Sequence, residues 1–193
     1  MSAARPSPAP QPGQSAGDSD LPDIRAAQAD RAAFDVLYRR YLDRVYGYAF
    51  YSLGDHHDAE DVTERTFLAA LKALSSFREG SGTFRAWLFR IAHNTIANAH
   101  RSRARRRTEP LLPAFDPPAP NADPAGVVGR AEELRRVLHL VAELPDDRRQ
   151  VVLLRFVDGL SSREIGQVMD RSEGAARVLL HRALRDLAGR LVN

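Results

Sequence analysis

The stretch LSSREIGQVMDRSEGAARVLLHRALRDLAGRL, residues 160–191, carries the most explicit folding instructions in the chain. Ser161-Ser-Arg-Glu164 has the form of a capping box, in which a hydroxyl and a carboxylate satisfy each other's backbone N–H groups. It predicts a short helix through about Met169, with Asp170-Arg171 as the turn. Ser172 can cap a last helix whose buried stripe is expected at Ala176, Leu180, Ala183, Leu184, Leu187 and Leu191. A short capped helix, a tight turn and a longer basic helix make a helix-turn-helix. On the last helix Glu173, Arg177, His181 and Arg185 are spaced by four and lie opposite the apolar stripe, with Arg182 alongside. Long donors on one helix face suit the base edges and phosphates of a major groove. The same pattern also serves as an ordinary solvated face.

Upstream, Leu134, Val137, Leu138, Leu140, Val141 and Leu144 fit one helix. Pro145 suits the first turn of the next, and Gly159 suits its C-terminal stop. A separate helical block precedes these. Phe34, Leu37, Tyr38, Tyr41, Leu42, Val45, Ala49 and Phe50 follow helical spacing up to Gly54. A second helix is predicted from about His57 to Leu74, then a loop over residues 77–83 and a third helix from Phe84 to about Arg103. No run alternates with period two, so an all-α fold is expected. It has two small helical domains, residues 25–104 and 129–193. The Pro-rich stretch 105–128 reads as a flexible linker and the Pro/Ser/Ala/Gly-rich residues 1–24 as a disordered extension.

The 193 residues contain no Cys, which removes disulfides, thiolate nucleophiles and Cys-based metal sites, and fits a cytoplasmic location. No run is apolar and long enough to span a bilayer and no secretory h-region is visible, so no membrane insertion is expected. Net charge is only +3, but it is segregated. Residues 54–64 hold five acids (Asp55, Asp58, Glu60, Asp61 and Glu64) and no Lys or Arg. Residues 83–107 hold seven Arg and no acid, and residues 171–193 hold five Arg against Glu173 and Asp186. One acidic and two basic patches point to two kinds of partner.

Enzyme chemistry finds no complete site. Asp58 and Asp61 share a face, but no further carboxylate is placed to finish a cation site. His56 and His57 are adjacent; His93 and His100 lie ~10 Å apart along a helix. There is no phosphate-binding Gly-rich loop and no nucleophile elbow. No catalysis and no cofactor are expected. The 83–107 segment instead suits nucleic acid. Asn94 and Asn98 sit one turn apart and offer paired donors and acceptors, while Arg90, Arg101 and Arg103 can hold phosphates. Trp87 is read as core rather than as a base-stacking residue.

The motifs in order resemble a bacterial RNA polymerase sigma factor of the sigma-70 family, extracytoplasmic-function type. The resemblance rests on AFDVLYRRY (33–41), DAEDVTERTFL (58–68), FRAWLFRIAHN (84–94), LPDDRRQVVLLRF (144–156), LSSREI (160–165) and SEGAARVLLHRA (172–183). It implies that the first domain is region 2 and the second region 4. Asp58, Asp61, Val62, Glu64 and Leu68 would then dock on the clamp helices of core RNA polymerase. Arg90, Asn94, Asn98, Arg101 and Arg103 would read and hold the −10 element. Arg177, Val178, His181, Arg182 and Arg185 would read −35 duplex DNA, with region 4 on the polymerase flap. An anti-sigma protein is a further implied partner, as in many family members. Two departures stand out. Asp170 occupies a turn position where the family often has Gly, and Val178 and Leu179 stand where many members have Ser and Arg. No region 3 and no C-terminal regulatory domain are expected, so the linker must do the spanning. Its 24 residues reach up to ~80 Å when extended, against ~70 Å for two turns of duplex. The alternative is a stand-alone helix-turn-helix regulator, which leaves the first domain's patches without a use.

Overall fold

The computed structural model describes residues 17–80, 82–106 and 136–191. Every regular element among them is helical. The expected linker from 107 onward, the start of the second block and residues 1–16 lie outside the described residues.

The first block is built on α2 (Phe34–Leu53) and α3 (His56–Ala73). Their hairpin is written into two adjacent residues. Gly54 takes the left-handed conformation, φ 70°, and its N–H donates to the Phe50 carbonyl at 2.8 Å. Asp55 then starts α3 by accepting the Asp58 N–H at 2.9 Å. A left-handed glycine closes one helix and an extended aspartate opens the next, so the two run back to back. α2 contributes Leu37, Tyr41, Val45 and Tyr48 to the core, and α3 contributes Ala59, Val62, Thr63, Thr66, Phe67 and Ala70. α4 (Phe84–Arg106) begins where the Thr83 hydroxyl accepts the Ala86 N–H at 3.1 Å, and packs across both. Phe77, Phe84 and Trp87 form an aromatic cluster at its start, with ring centroids 5.5–5.8 Å apart.

A correction is needed at the N-terminus. The extension read as disordered to residue 24 is helical from Gly17 onward: α1 (Gly17–Ala29) packs on the bundle. Local composition, with Pro22 inside the helix, argues for disorder, but tertiary contacts override it. Asp20, 1% exposed, accepts from Arg40 and from the Tyr41 hydroxyl, both at 2.5 Å. Asp23 takes the other Arg40 nitrogen at 2.6 Å. Arg25 pairs bidentately with Glu79 at 2.7 and 2.9 Å. Gln28 donates to the Leu74 and Phe77 carbonyls. Ile24 and Ala27 are buried beneath these contacts.

The second block comprises α5 (136–142), α6 (Asp146–Phe156), α7 (Ser162–Met169) and α8 (Glu173–Leu191). Gly159 (φ 66°) lies in the turn between α6 and α7. The two blocks do not have separate cores. Buried residues of α2 and α4 join those of α6, α7 and α8 in one continuous apolar cluster. No described helix is long and apolar enough to cross a membrane.

Ile24→Ala should lower stability by ~2–5 kcal/mol, the usual cost of emptying a packed aliphatic site. Urea unfolding followed by circular dichroism checks this. A disordered extension would give no change.

Candidate nucleic-acid interface

The helix-turn-helix is held by the elements its sequence specifies. Ser161 accepts the Glu164 N–H at 3.3 Å, and Glu164 Oε2 accepts the Ser161 N–H at 2.8 Å, closing the capping box on α7. Asp170 ends α7 in the left-handed region, φ 54°, a conformation that favours Gly. Asp tolerates that backbone better than most residues. The Ser172 hydroxyl caps α8 by accepting the Ala175 N–H at 3.1 Å. The tightest approach was not legible in the sequence. A Cβ on Gly166 would lie 2.7 Å from the Arg171 carbonyl oxygen, so only glycine lets the turn fold this closely onto α7.

α8 buries a narrower seam than the expected stripe. Ala176, Ala183 and Leu187 are buried, whereas Leu184 and Leu191 are exposed. The helix rests on α6 and α7 along its i, i+7, i+11 line. Arg148 of α6 pairs with Asp186, and Glu143 with Arg190 at 2.6 Å, fixing the helix from the side. The opposite face carries Arg177, Val178, His181, Arg182 and Arg185, all exposed. Arg177 is steadied by Glu173 one turn earlier at 2.5 Å. Val178, 52% exposed, is an apolar contact in a row of donors, suited to a thymine methyl rather than a hydrogen bond.

α4 presents Asn94 and Asn98 on one exposed face. Arg101 donates to the Asn98 carbonyl oxygen, which orients the amide. Arg90 is exposed and lies 3.7 Å from Asp170 of the second block. Arg103 departs from expectation. It donates to the Leu53 carbonyl at 3.1 Å and sits 3.4 Å from Asp58, bracing α4 against the α2–α3 hairpin. That engagement makes Arg103 and Asp58 a joint of the first block. Trp87, read as core, is only half-buried and lines the cleft between the blocks.

On α3, Asp61, Glu64 and Leu68 share one exposed face, with Leu68 47% exposed. Val62 does not belong with them. It is 2% exposed, because positions 59, 62, 63, 66, 67 and 70 form the helix's inner face. Beside the acids, Phe34, Tyr38, Leu42 and Leu71 line an apolar groove between α2 and α3, rimmed by Glu60 and Glu64.

The comparisons with known proteins agree with this geometry. Residues 37–106 match the family model for sigma-70 region 2, and residues 134–187 match sigma-70, region 4. The chain is 36% identical over 178 residues to the ECF RNA polymerase sigma factor BldN of Streptomyces coelicolor, covering 90% of this chain and 67% of that one. The chain belongs to the sigma-70 family of RNA polymerase sigma factors, in its extracytoplasmic-function group. It is 34% identical over 169 residues to the ECF sigma-E factor of Escherichia coli K12, covering 82% of this chain and 86% of that relative. Among solved structures it is similar to CnrH in complex with the cytosolic domain of CnrY, at 27% identity and TM-score 0.68, covering 90% of this chain and 97% of that one. A sigma factor of this family is a transcription-initiation factor and not an enzyme, which disposes of the isolated Asp and His groupings as catalytic candidates.

Gly166→Ala should destabilise the second block by ~1–3 kcal/mol, since backbone rather than a flexible side chain must yield. A thermal melt measures this. An unshifted midpoint would mean that the α7–α8 turn is looser than described.

Proposed function

We propose that this sigma factor divides promoter recognition between the exposed faces of α4 and α8 and recruits core RNA polymerase through α3. The single observation that carries the reading is the orientation of the candidate side chains. Asn94 and Asn98 on α4, and Arg177, Val178, His181 and Arg182 on α8, point to solvent, while the residues between them build the core. Region 2 takes the −10 element as separated strand. Unstacked bases expose Watson–Crick edges that an amide can pair with through a donor and an acceptor. Arg90 and Arg101 supply the sequence-blind phosphate contribution. Region 4 reads −35 duplex with α8 in the major groove, and Arg185 serves the backbone. Asp61, Glu64 and Leu68 face the clamp helices of the polymerase, with the apolar groove beside them as the anchor. The free chain is expected to bind promoter duplex weakly, because exposing the −10 bases costs a few kcal/mol per step and needs the polymerase. Its place of action is the cytoplasm, where core polymerase works. An anti-sigma factor is a further partner; the similar CnrH is seen in complex with the cytosolic domain of CnrY.

Asn94→Ala and Asn98→Ala should each reduce run-off transcription on duplex templates and on templates pre-melted across the −10 element, because reading and not only opening is impaired. Full activity of both variants on both templates would transfer −10 reading to the 77–83 loop. Asp61→Arg should weaken core binding in a salt-dependent way, by ~2–5 kcal/mol if the contact is desolvated. Unchanged affinity across a salt series would reduce the acidic face to a solubility device.

A further inference from the structure

α8 carries two carboxylates, Glu173 and Asp186, and each meets an arginine. The two pairings differ in kind. Glu173 takes Arg177 at 2.5 Å, one turn along its own helix, with the acid on the N-terminal side, the favoured order for such a pair. Asp186 has the same opportunity, because Arg182 stands one turn before it on α8 and Arg190 one turn after. It takes neither. Its Oδ2 accepts from Arg148, 38 positions earlier on α6. Arg190 is turned to Glu143 at 2.6 Å. Arg182 is exposed and has no hydrogen-bond or ion-pair partner among the described residues. The cation next to Arg148 is committed elsewhere: Arg149 donates to the Ala142 carbonyl and pairs with Asp146.

Which arginine Asp186 takes decides what the outer face of α8 presents. Residues four apart on a helix are neighbours, so a carboxylate at 186 without Arg148 would draw the Arg182 guanidinium on to α8 itself. An arginine folded on to its own helix no longer offers its fork of donors to a guanine edge. The same carboxylate, uncompensated beside the exposed row, would also repel a DNA phosphate. The Arg148 and Asp186 side chains are 36% and 34% exposed, and a pair this open to water adds little to stability. Its effect falls instead on Arg182.

We propose that Arg148 is a positioning residue for −35 reading. By occupying Asp186 it leaves Arg182 extended for the major groove, and it acts without a base contact of its own. This rests on the reading that α8 enters the −35 groove with Arg182 towards the bases. The two partners of the ion pair are then unequal. Loss of Arg148 delivers Asp186 to Arg182, whereas loss of Asp186 leaves Arg182 with nothing to fold on to. A pair that served the fold alone would be damaged alike from either side.

The test uses preassembled holoenzyme containing the full chain and a promoter library randomised across the −35 element, with the bound templates sequenced to give a base preference at each position. Arg182→Ala should relax the preference at one −35 position. Arg148→Ala should relax the same position by about two- to threefold, the share of Arg182 that a competing pair one turn away withdraws. Asp186→Ala should keep the wild-type profile, and Arg148→Ala combined with Asp186→Ala should regain it. The profile compares bases for one protein at a time, so a smaller folded fraction lowers all templates alike and does not imitate relaxation. An Arg148→Ala profile equal to wild type would overturn the proposal. So would a uniform loss across all −35 sequences, or a double variant that stays as relaxed as Arg148→Ala, the behaviour of an arginine that holds DNA directly. An Arg182→Ala profile identical to wild type would mean that Arg182 reads no base. That result removes the reading beneath the proposal and the proposal with it, whereas the other three remove the proposal alone.

Discussion

Glu164 holds the start of its own helix and the start of a helix from the other half of the chain. A carboxylate has lone pairs enough to accept from four donors, and here one oxygen serves the Ser161 backbone and hydroxyl while the pair of oxygens serves Thr83 and Arg85. Buried as it is, that group would be costly without its partners. With them it fixes the distance and angle between α4 and α7. The continuous core across the seam follows from that placement. α7 lies on α4, α6 reaches α2, and the aliphatic faces of both blocks close on one another.

Much of the fold was written in local chemistry. Gly54 with Asp55, the Ser161–Glu164 box, Gly159, Asp170 and Ser172 each specify a boundary through one backbone requirement, and each boundary stands where its residues put it. What failed to show was tertiary. α1 has a weak apolar face and a proline inside it, and it becomes a helix only because Arg40, Tyr41 and Glu79 are waiting for its polar side chains. The joining of the two cores was likewise invisible. A sequence displays which face of each helix is apolar, but not which other face will cover it.

The candidate site divides along the same line. Exposed residues on strongly patterned helices, such as Asn94, Asn98 and the outer row of α8, were legible because the opposite face was plainly apolar. Val62 was misplaced because a motif assigned it together with its neighbours, whereas helical phase puts it with Ala59, Thr66 and Phe67 inside. Arg103 was misplaced for a different reason: an arginine in a basic run looks free until a carbonyl at a helix end and a nearby aspartate claim it. The Arg85–Glu164 pair joins residues 79 positions apart, and no local pattern announces it.

The helix-turn-helix therefore lives under two independent sets of demands. Glu164, Gln167 and Asp170 look towards the first block, whereas Arg177, Val178, His181 and Arg182 look away from it. Selection can rewrite the outward row without touching the inward one. Related chains can thus diverge on the face proposed to read the −35 element while keeping the same packing of α7 on the first block. Grafting the outer residues of one relative onto another becomes a matter of four or so surface positions, whereas exchanging α7 whole would also exchange the terms on which the molecule folds onto itself.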